Sequence, residues 1–154
     1  MDVTVLIFSS NGAKAILAIR SQTVQNTAPP RKVAGMTTMG FEVFSGPEIT
    51  SEYYAFDNLN FPPNHPARES MDTYWLEGHD SGETNKKLCL RPHLTGESVR
   101  YMRTHQPPYR FVYPGRVYRN EAISARAHCF FHQVEGLYID KNVSFADLRE
   151  VLLY

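Results

Sequence analysis

Between Tyr109 and Ile139 three runs, Tyr109–Tyr113, Arg116–Glu121 and Cys129–Ile139, read as strands. Short segments rich in Val, Tyr and Phe and bounded by turn residues are the signature of β-strands. Turn chemistry is expected at Pro114-Gly115 and at Asp140-Lys141-Asn142. The last two runs are joined by the loop Ala122–His128, so they are expected to pair as neighbours. Side chains alternate across a strand. Arg119 and Glu121 therefore share one face of their strand, and Phe131, Gln133 and Glu135 share one face of the next. A paired sheet would present a guanidinium, two carboxylates, an amide and an aromatic ring together. Such a set can grip a phosphate through arginine's planar donors, an ammonium through the carboxylates and a heterocycle by stacking. Arg and Glu on neighbouring strands more often form ion pairs on a solvated face, and spacing alone does not separate the two uses.

The remaining elements are coarser. Residues 3–8 carry a β-branched and aromatic run, Asn11-Gly12 is a turn signal, and Ala15-Ile16-Leu17-Ala18-Ile19 fits either a strand or a short helix. Ser21 to Thr38 is polar, with Pro29-Pro30 and Gly35, and reads as a linker; a domain boundary is expected near residue 35, leaving 1–35 unassigned and 36–154 as the main domain. Phe41, Val43 and Phe44 suggest a strand stopping at Gly46-Pro47. Pro62, Pro63 and Pro66 make 57–70 an irregular loop. Tyr74-Trp75-Leu76 and Leu88-Cys89-Leu90 form a plausible hairpin across His79–Lys87. Thr95 is placed to cap a helix running to about His105, before Pro107-Pro108. Ser144 with Asp147 resembles a capping box, and Phe145, Leu148, Val151 and Leu152 follow helical spacing. The aromatic run Tyr53, Tyr54, Phe56 and Phe61 is expected to pack in a core or anchor a loop.

Composition narrows the function classes. With 154 residues and 42% hydrophobic content, one domain is the default. Sixteen basic residues balance sixteen acidic ones, so there is no basic field of the kind a free-standing nucleic-acid binder uses for steering. Cys89 and Cys129 are too few for a disulfide framework and fit a reducing compartment as small buried hydrophobes. His93, His128 and His132 lack partners at metal-ligand spacing, so no metal site is expected. No export signal or membrane span is apparent, and a cytoplasmic location without membrane contact is expected.

The stretches MGFEVFSGPEI (39–49), FDNLNFPPNHPAR (56–68), LRPH (90–93), VRYM (99–102), PPYRFVYPGRVYRNE (107–121) and FHQVEGLYIDKNVSFADL (131–148) closely resemble the catalytic domain of bacterial phenylalanyl-tRNA synthetase α subunits. The resemblance covers about residues 36–154 and implies an α+β class II aminoacyl-tRNA synthetase fold, an antiparallel sheet flanked by helices, present here in part. By resemblance, GFEVFSGPEI is similar to class II motif 1, with Pro47 in a region of subunit contact. RVYRNE to FHQVEG is similar to motif 2. Residue by residue, Arg119 matches the arginine on the ATP α-phosphate and the amino-acid carboxylate. Glu121 matches the acid on the ATP side, and Phe131 the ring beneath adenine. His93, Thr95, Gln133 and Glu135 match the surroundings of the phenylalanine amino group.

The implied activity is phenylalanine–tRNA ligation. ATP, phenylalanine and tRNA(Phe) are the implied substrates, magnesium would be held by ligands outside this chain, and a β subunit would complete an α2β2 assembly. The family commonly reads RTHTSPxQ where this chain has Arg91-Pro92-His93-Leu94-Thr95-Gly96-Glu97-Ser98, so Ser98 stands where a glutamine is common. Many members carry a histidine at the position of Ala127. A glycine-rich motif 3 would lie beyond Tyr154, and the 154-residue chain alone is therefore expected not to aminoacylate. The rival expectation is a non-catalytic truncated paralogue that binds a nucleotide, an amino acid or a partner subunit.

Overall fold

The computed structural model describes residues 9–10, 13–14, 21–23, 30–63, 73–78, 87–120 and 129–153. The expected strand at 3–8, the Asn11-Gly12 turn and the segment 15–19 lie outside them. Two short strands, β1 (Ser9–Ser10) and β2 (Ala13–Lys14), pair antiparallel on either side of that turn position.

The centre of the fold is a four-stranded sheet in the order β3, β8, β7, β4. Strands β7 (Tyr109–Tyr118) and β8 (Phe130–Ile139) run antiparallel, from Tyr109 opposite Ile139 to Tyr118 opposite Phe130. The expected turn at Pro114-Gly115 is absent, and β7 passes through both residues. The Phe44 amide donates to the Val112 carbonyl at 2.9 Å, so Val112 turns its polar backbone groups toward β4 (Glu42–Val43). With a period of two, Pro114 faces the same edge, past the end of β4. Its missing N–H therefore forfeits no ladder bond. By contrast the turn at Asp140-Lys141-Asn142 is present, with Asn142 in the left-handed region at φ 64°.

Two further expectations change. Strand β4 runs parallel to β7, which makes the sheet mixed rather than wholly antiparallel. The polar stretch 21–38 holds a strand and a helix instead of a linker: β3 (Ser21–Thr23) pairs with β8, and α1 (Pro30–Thr38) runs through position 35. Pro30 stands in the first turn of α1, where the absent N–H has no intrahelical partner anyway. The helix ends in a Schellman motif: Phe41 donates to the Met36 carbonyl and Gly40 to the Thr37 carbonyl, both at 3.0 Å. Gly40 takes φ 83°, which a side chain would resist. Met36 and Phe41 meet in the core, completing the motif's apolar contact.

The central strands β7 and β8 are buried on both faces. Val112 and Val134 point to one side and pack with Met36, Phe41, Leu148 and Val151 under α1 and α4 (Phe145–Leu153). Phe111, Tyr113, Val117 and Leu137 point to the other and pack with Leu94 and Tyr101 under α3 (Gly96–Thr104). Beside them, β5 (Ile49–Ser51) pairs antiparallel with β6 (Leu88–Leu90), and Trp75 bridges to Cys89 from β6's other edge. The Leu76 amide donates to Leu88 and the Leu90 amide to Tyr74, both at 2.9 Å, which is the pairing the hairpin reading requires. The expected turn at 79–86 lies outside the described residues. Helix α2 (Glu52–Ala55) and the 3₁₀ turn Asp57–Leu59 carry Ala55 and Phe56, buried against Cys89 with Phe61 alongside. The expected capping box holds in its carboxylate half: the Ser144 amide and hydroxyl both donate to Asp147 Oδ2, at 2.7 and 2.6 Å. Among the described residues no helix is long and apolar enough to cross a membrane.

Candidate active site

The β7–β8 register sets which side chains meet. Val117 opposes Phe131, Gly115 opposes Gln133 and Tyr113 opposes Glu135, while the Arg119 amide donates to the Cys129 carbonyl at 3.0 Å just past the end of β7. Arg119, Phe131, Gln133 and Glu135 therefore lie on one sheet face. Its order is guanidinium and ring at one end, amide in the middle, carboxylate at the other. Phe131 and Glu135 are four residues apart, or about 13 Å at the usual strand rise. The Arg119 guanidinium sits over the Phe131 ring, 5.0 Å from its centroid. Glu121 and the loop 122–128, with Ala127 and His128, lie outside the described residues.

Arg119 and Phe131 are half-buried, but the rest of this face is not solvated. Gln133 is 0% and Glu135 2% exposed. The cover is the segment from Arg91 to Ser98, where the chain leaves β6 and enters α3. Thr95 occupies the N-cap position of α3 but makes no side-chain cap, its own backbone being helical at φ −58°, ψ −30°. Its hydroxyl instead donates to Glu135 Oε2 at 2.9 Å. Ser98, at the position where the resemblance leads one to expect glutamine, is buried with its hydroxyl 2.6 Å from that of Tyr113. Burial and the Glu135 charge hold the Tyr113 phenol well above its ordinary pKa, so it stays a neutral hydrogen-bonding group.

His93 is buried and meets the edge of Phe56 at 6.1 Å, with Phe56 also 6.2 Å from Trp75. Trp75, seen in the sequence only as a strand residue, is part exposed beside this cluster with Lys87 Nζ 4.1 Å from its ring centroid. Pro47 is exposed, as is Ile49 two residues on. Cys89 is buried as expected, but Cys129 is only half-buried because it lies where the β7–β8 ladder ends. No cluster of three or more His, Cys, Asp or Glu able to hold a metal occurs among the described residues.

Two charged residues that the sequence reading passed over, Arg91 and Glu97, are 5% and 3% exposed beneath this face. Their side chains approach to 3.8 Å, and Arg100 Nε lies 3.7 Å from the second Glu97 oxygen. Burial pulls the Arg91 guanidinium below its usual pKa and pushes the Glu97 carboxyl above its own, and the mutual attraction opposes both shifts. The signal available in the sequence was charge in an otherwise uncharged strand exit and helix start.

Two long antiparallel strands thus carry an arginine over an aromatic ring where their ladder ends. The family profile described as tRNA synthetases class II core domain (F) matches residues 11–153. The chain belongs to this class II core family. Curated relatives include phenylalanine–tRNA ligase alpha subunits of Cytophaga hutchinsonii, 55% identical over 116 residues, and of Chlorobaculum parvum, 51% identical over 129. These alignments cover 75% and 80% of this chain but 32% and 37% of the relatives. The chain thus spans about a third of the length of the curated relatives it matches. Among solved structures, a pyrrolysyl-tRNA synthetase from Desulfitobacterium hafniense superposes with a TM-score of 0.50 at 23% identity, covering 69% of this chain and 36% of that one. That likeness supports the class II fold alone.

Proposed function

We propose that the β7–β8 face is the phenylalanine- and ATP-binding surface of a phenylalanine–tRNA ligase α subunit. The observation that carries this reading is the Arg119 guanidinium lying over Phe131 on the same face as buried Gln133 and Glu135. The separation of ring from carboxylate suits a ligand with a heterocycle at one end and an ammonium at the other, as an aminoacyl-adenylate has.

In this reading adenine stacks on Phe131, and Arg119 bridges the α-phosphate and the phenylalanine carboxylate. Glu121 takes the ATP side by its match to the motif. The ammonium is received by Glu135, Gln133 and Thr95, with His93 beside them. The Thr95 O–H is spent on Glu135, so its oxygen lone pairs remain as acceptors for an ammonium N–H. A carboxylate oxygen of phenylalanine attacks the α-phosphorus in line, the bond to the bridging oxygen breaks, and pyrophosphate leaves with that electron pair. Arg119 stabilises the negative charge on the α-phosphoryl oxygens in the transition state. The terminal ribose hydroxyl of tRNA(Phe) then attacks the acyl carbon, and AMP leaves. The described residues hold no acidic cluster suited to magnesium, whose ligands would come from outside this chain. Exposed Val43, Pro47 and Ile49 offer an apolar strip for a β subunit in an α2β2 assembly. The even charge balance leaves the tRNA surface to other parts of the complex, which would work in the cytoplasm.

Calorimetric titration with ATP and with phenylalanine tests this. Arg119→Ala is expected to weaken ATP binding at least tenfold, the loss of a charge-assisted hydrogen bond of about 1.5–3 kcal/mol. Glu135→Gln is expected to weaken phenylalanine binding similarly and to leave ATP binding near wild type. A wild-type chain that binds neither ligand at millimolar concentration, or an Arg119→Ala chain that binds ATP normally, overturns the reading.

A further inference from the structure

Arg91 is a buried guanidinium on which several separate parts of the fold converge. Its Nε donates to the Arg116 carbonyl at 2.7 Å, and one terminal nitrogen donates to the Gly46 carbonyl at 2.9 Å and the Pro47 carbonyl at 3.3 Å. Its amide donates to the Glu48 carbonyl at 2.9 Å, and its carbonyl accepts the Tyr118 amide at 3.0 Å. Strand β4 ends at Val43, so the outer edge of β7 at Arg116 and Tyr118 has no strand neighbour among the described residues. Arg91 satisfies that edge in place of one.

The surrounding residues make room for this clamp. A Cβ at Gly115 would overlap the Arg91 guanidinium, and one at Gly46 would overlap the Glu97 carboxylate. Neither glycine has a positive φ, so it is space for the ion pair, not backbone conformation, that requires glycine there. The next residue after Tyr118 is Arg119, whose amide continues the ladder to Cys129.

We propose that Arg91 is a positioning residue, whose fork fixes the last turn of backbone before Arg119 and ties it to the Gly46–Glu48 segment. The functional part of this inference rests on the ATP role given to Arg119 above. Arg91 itself touches no reacting atom. Arginine rather than lysine is needed, because the donors that span Arg116, Gly46 and Pro47 are separate nitrogens in one rigid plane.

The test uses the 154-residue chain with Arg91→Lys, Arg91→Ala, Gly115→Ala and the Arg91→Ala/Gly115→Ala double variant. Amide hydrogen exchange at Tyr118 and Arg119 is expected to quicken at least tenfold in Arg91→Lys, while Phe111 and Leu137 amides keep wild-type protection. ATP affinity is expected to fall about tenfold under conditions where the variant remains folded, with Lys no better than Ala. Gly115→Ala is expected to lower the urea midpoint in the wild-type background and to lower it much less once Arg91 is alanine, since the overlap at 2.3 Å is then gone and only the flexible Leu94 side chain at 3.0 Å remains. Wild-type exchange at Tyr118 and Arg119 in Arg91→Lys overturns the clamp. So does wild-type ATP affinity in Arg91→Lys when Arg119→Ala has lost it. If the unmodified chain binds no ATP, the ligase reading fails by itself, and the exchange and double-variant results still decide whether Arg91 holds the Arg119 backbone.

Discussion

Replacing Thr95 by valine separates two uses of a hydroxyl at the start of a helix. A threonine at this position is ordinarily an N-cap, and its loss costs about 1 kcal/mol through orphaned helix amides. Here the hydroxyl caps nothing and donates at 2.9 Å to Glu135, a carboxylate only 2% exposed. Valine keeps the shape and removes the donor, so a buried carboxylate loses a charge-assisted hydrogen bond worth about 1.5–3 kcal/mol. Glu135 keeps other contacts, which places the expected loss near the lower end, about 1.5–2 kcal/mol. With a urea slope of about 2 kcal/mol/M for a chain of this size, the unfolding midpoint should drop by roughly 0.8–1 M at unchanged slope. Thr95→Ser keeps the donor and should stay much closer to wild type. Phenylalanine affinity should fall with Thr95→Val, because the released carboxylate is no longer held where an ammonium would meet it. A Thr95→Val midpoint within about 0.2 M of wild type would refute the reasoning, since it would mean that the hydroxyl is not what satisfies Glu135.

Two further outcomes are expected. Burial, reinforced by Glu52 and only partly offset by Lys87, pushes the Cys89 thiol up to about 12, so iodoacetamide at pH 8 should label half-buried Cys129 and reach Cys89 only on unfolding; peptide mapping reads the site, and equal labelling of the folded chain would count against the packing around Cys89. Hydrogen bonds from the Ser144 hydroxyl and amide hold the Asp147 carboxyl below its ordinary value, so its contribution to stability is present above the unfolded aspartate value of about 3.9 and is lost as pH falls through the lower folded value. Asp147→Asn should therefore flatten the acid limb of a melting-temperature profile; parallel profiles for the two chains down to about pH 3 would remove the cap from the account.

What the sequence made legible was whatever the alternation of side chains across a strand controlled. The common face of Arg119, Phe131, Gln133 and Glu135 follows from residue parity, and the register bears it out. Where a residue's usual preference met an unusual neighbour, local reading went astray. Pro114-Gly115 reads as a turn because proline normally forfeits a ladder bond, and only the early end of β4 makes that position harmless. Thr95 reads as a cap, and only the presence of Glu135 on another strand draws its hydroxyl away. Helix α1 was hidden by Gly35 in its middle, although Pro30 and Gly40 stand where a helix begins and ends. Its tertiary support, Met36 against Phe41, Val112 and Leu148, spans more than a hundred residues of sequence and leaves no local mark.

The two faces of the sheet divide the work of the fold. The α1 and α4 side is an apolar core in which Val112 and Val134 need only fit among neighbours of similar chemistry. The α3 side combines an apolar cluster with buried Gln133, Glu135, Arg91, Glu97 and Ser98, each of which must find a partner or destabilise the chain. The contacts that meet this demand are directional: Thr95 to Glu135, Ser98 to Tyr113, Arg91 to three carbonyls. A buried ion pair is weak evidence for stability, because apolar residues of the same volume are often as good or better. Directional partners do, however, admit few alternative arrangements. A face that must hold a guanidinium over a ring and a carboxylate some 13 Å away has more use for that restriction than for additional stability. Stability can then be left to the opposite face, where substitutions that conserve volume should be tolerated without disturbing the placement of Arg119.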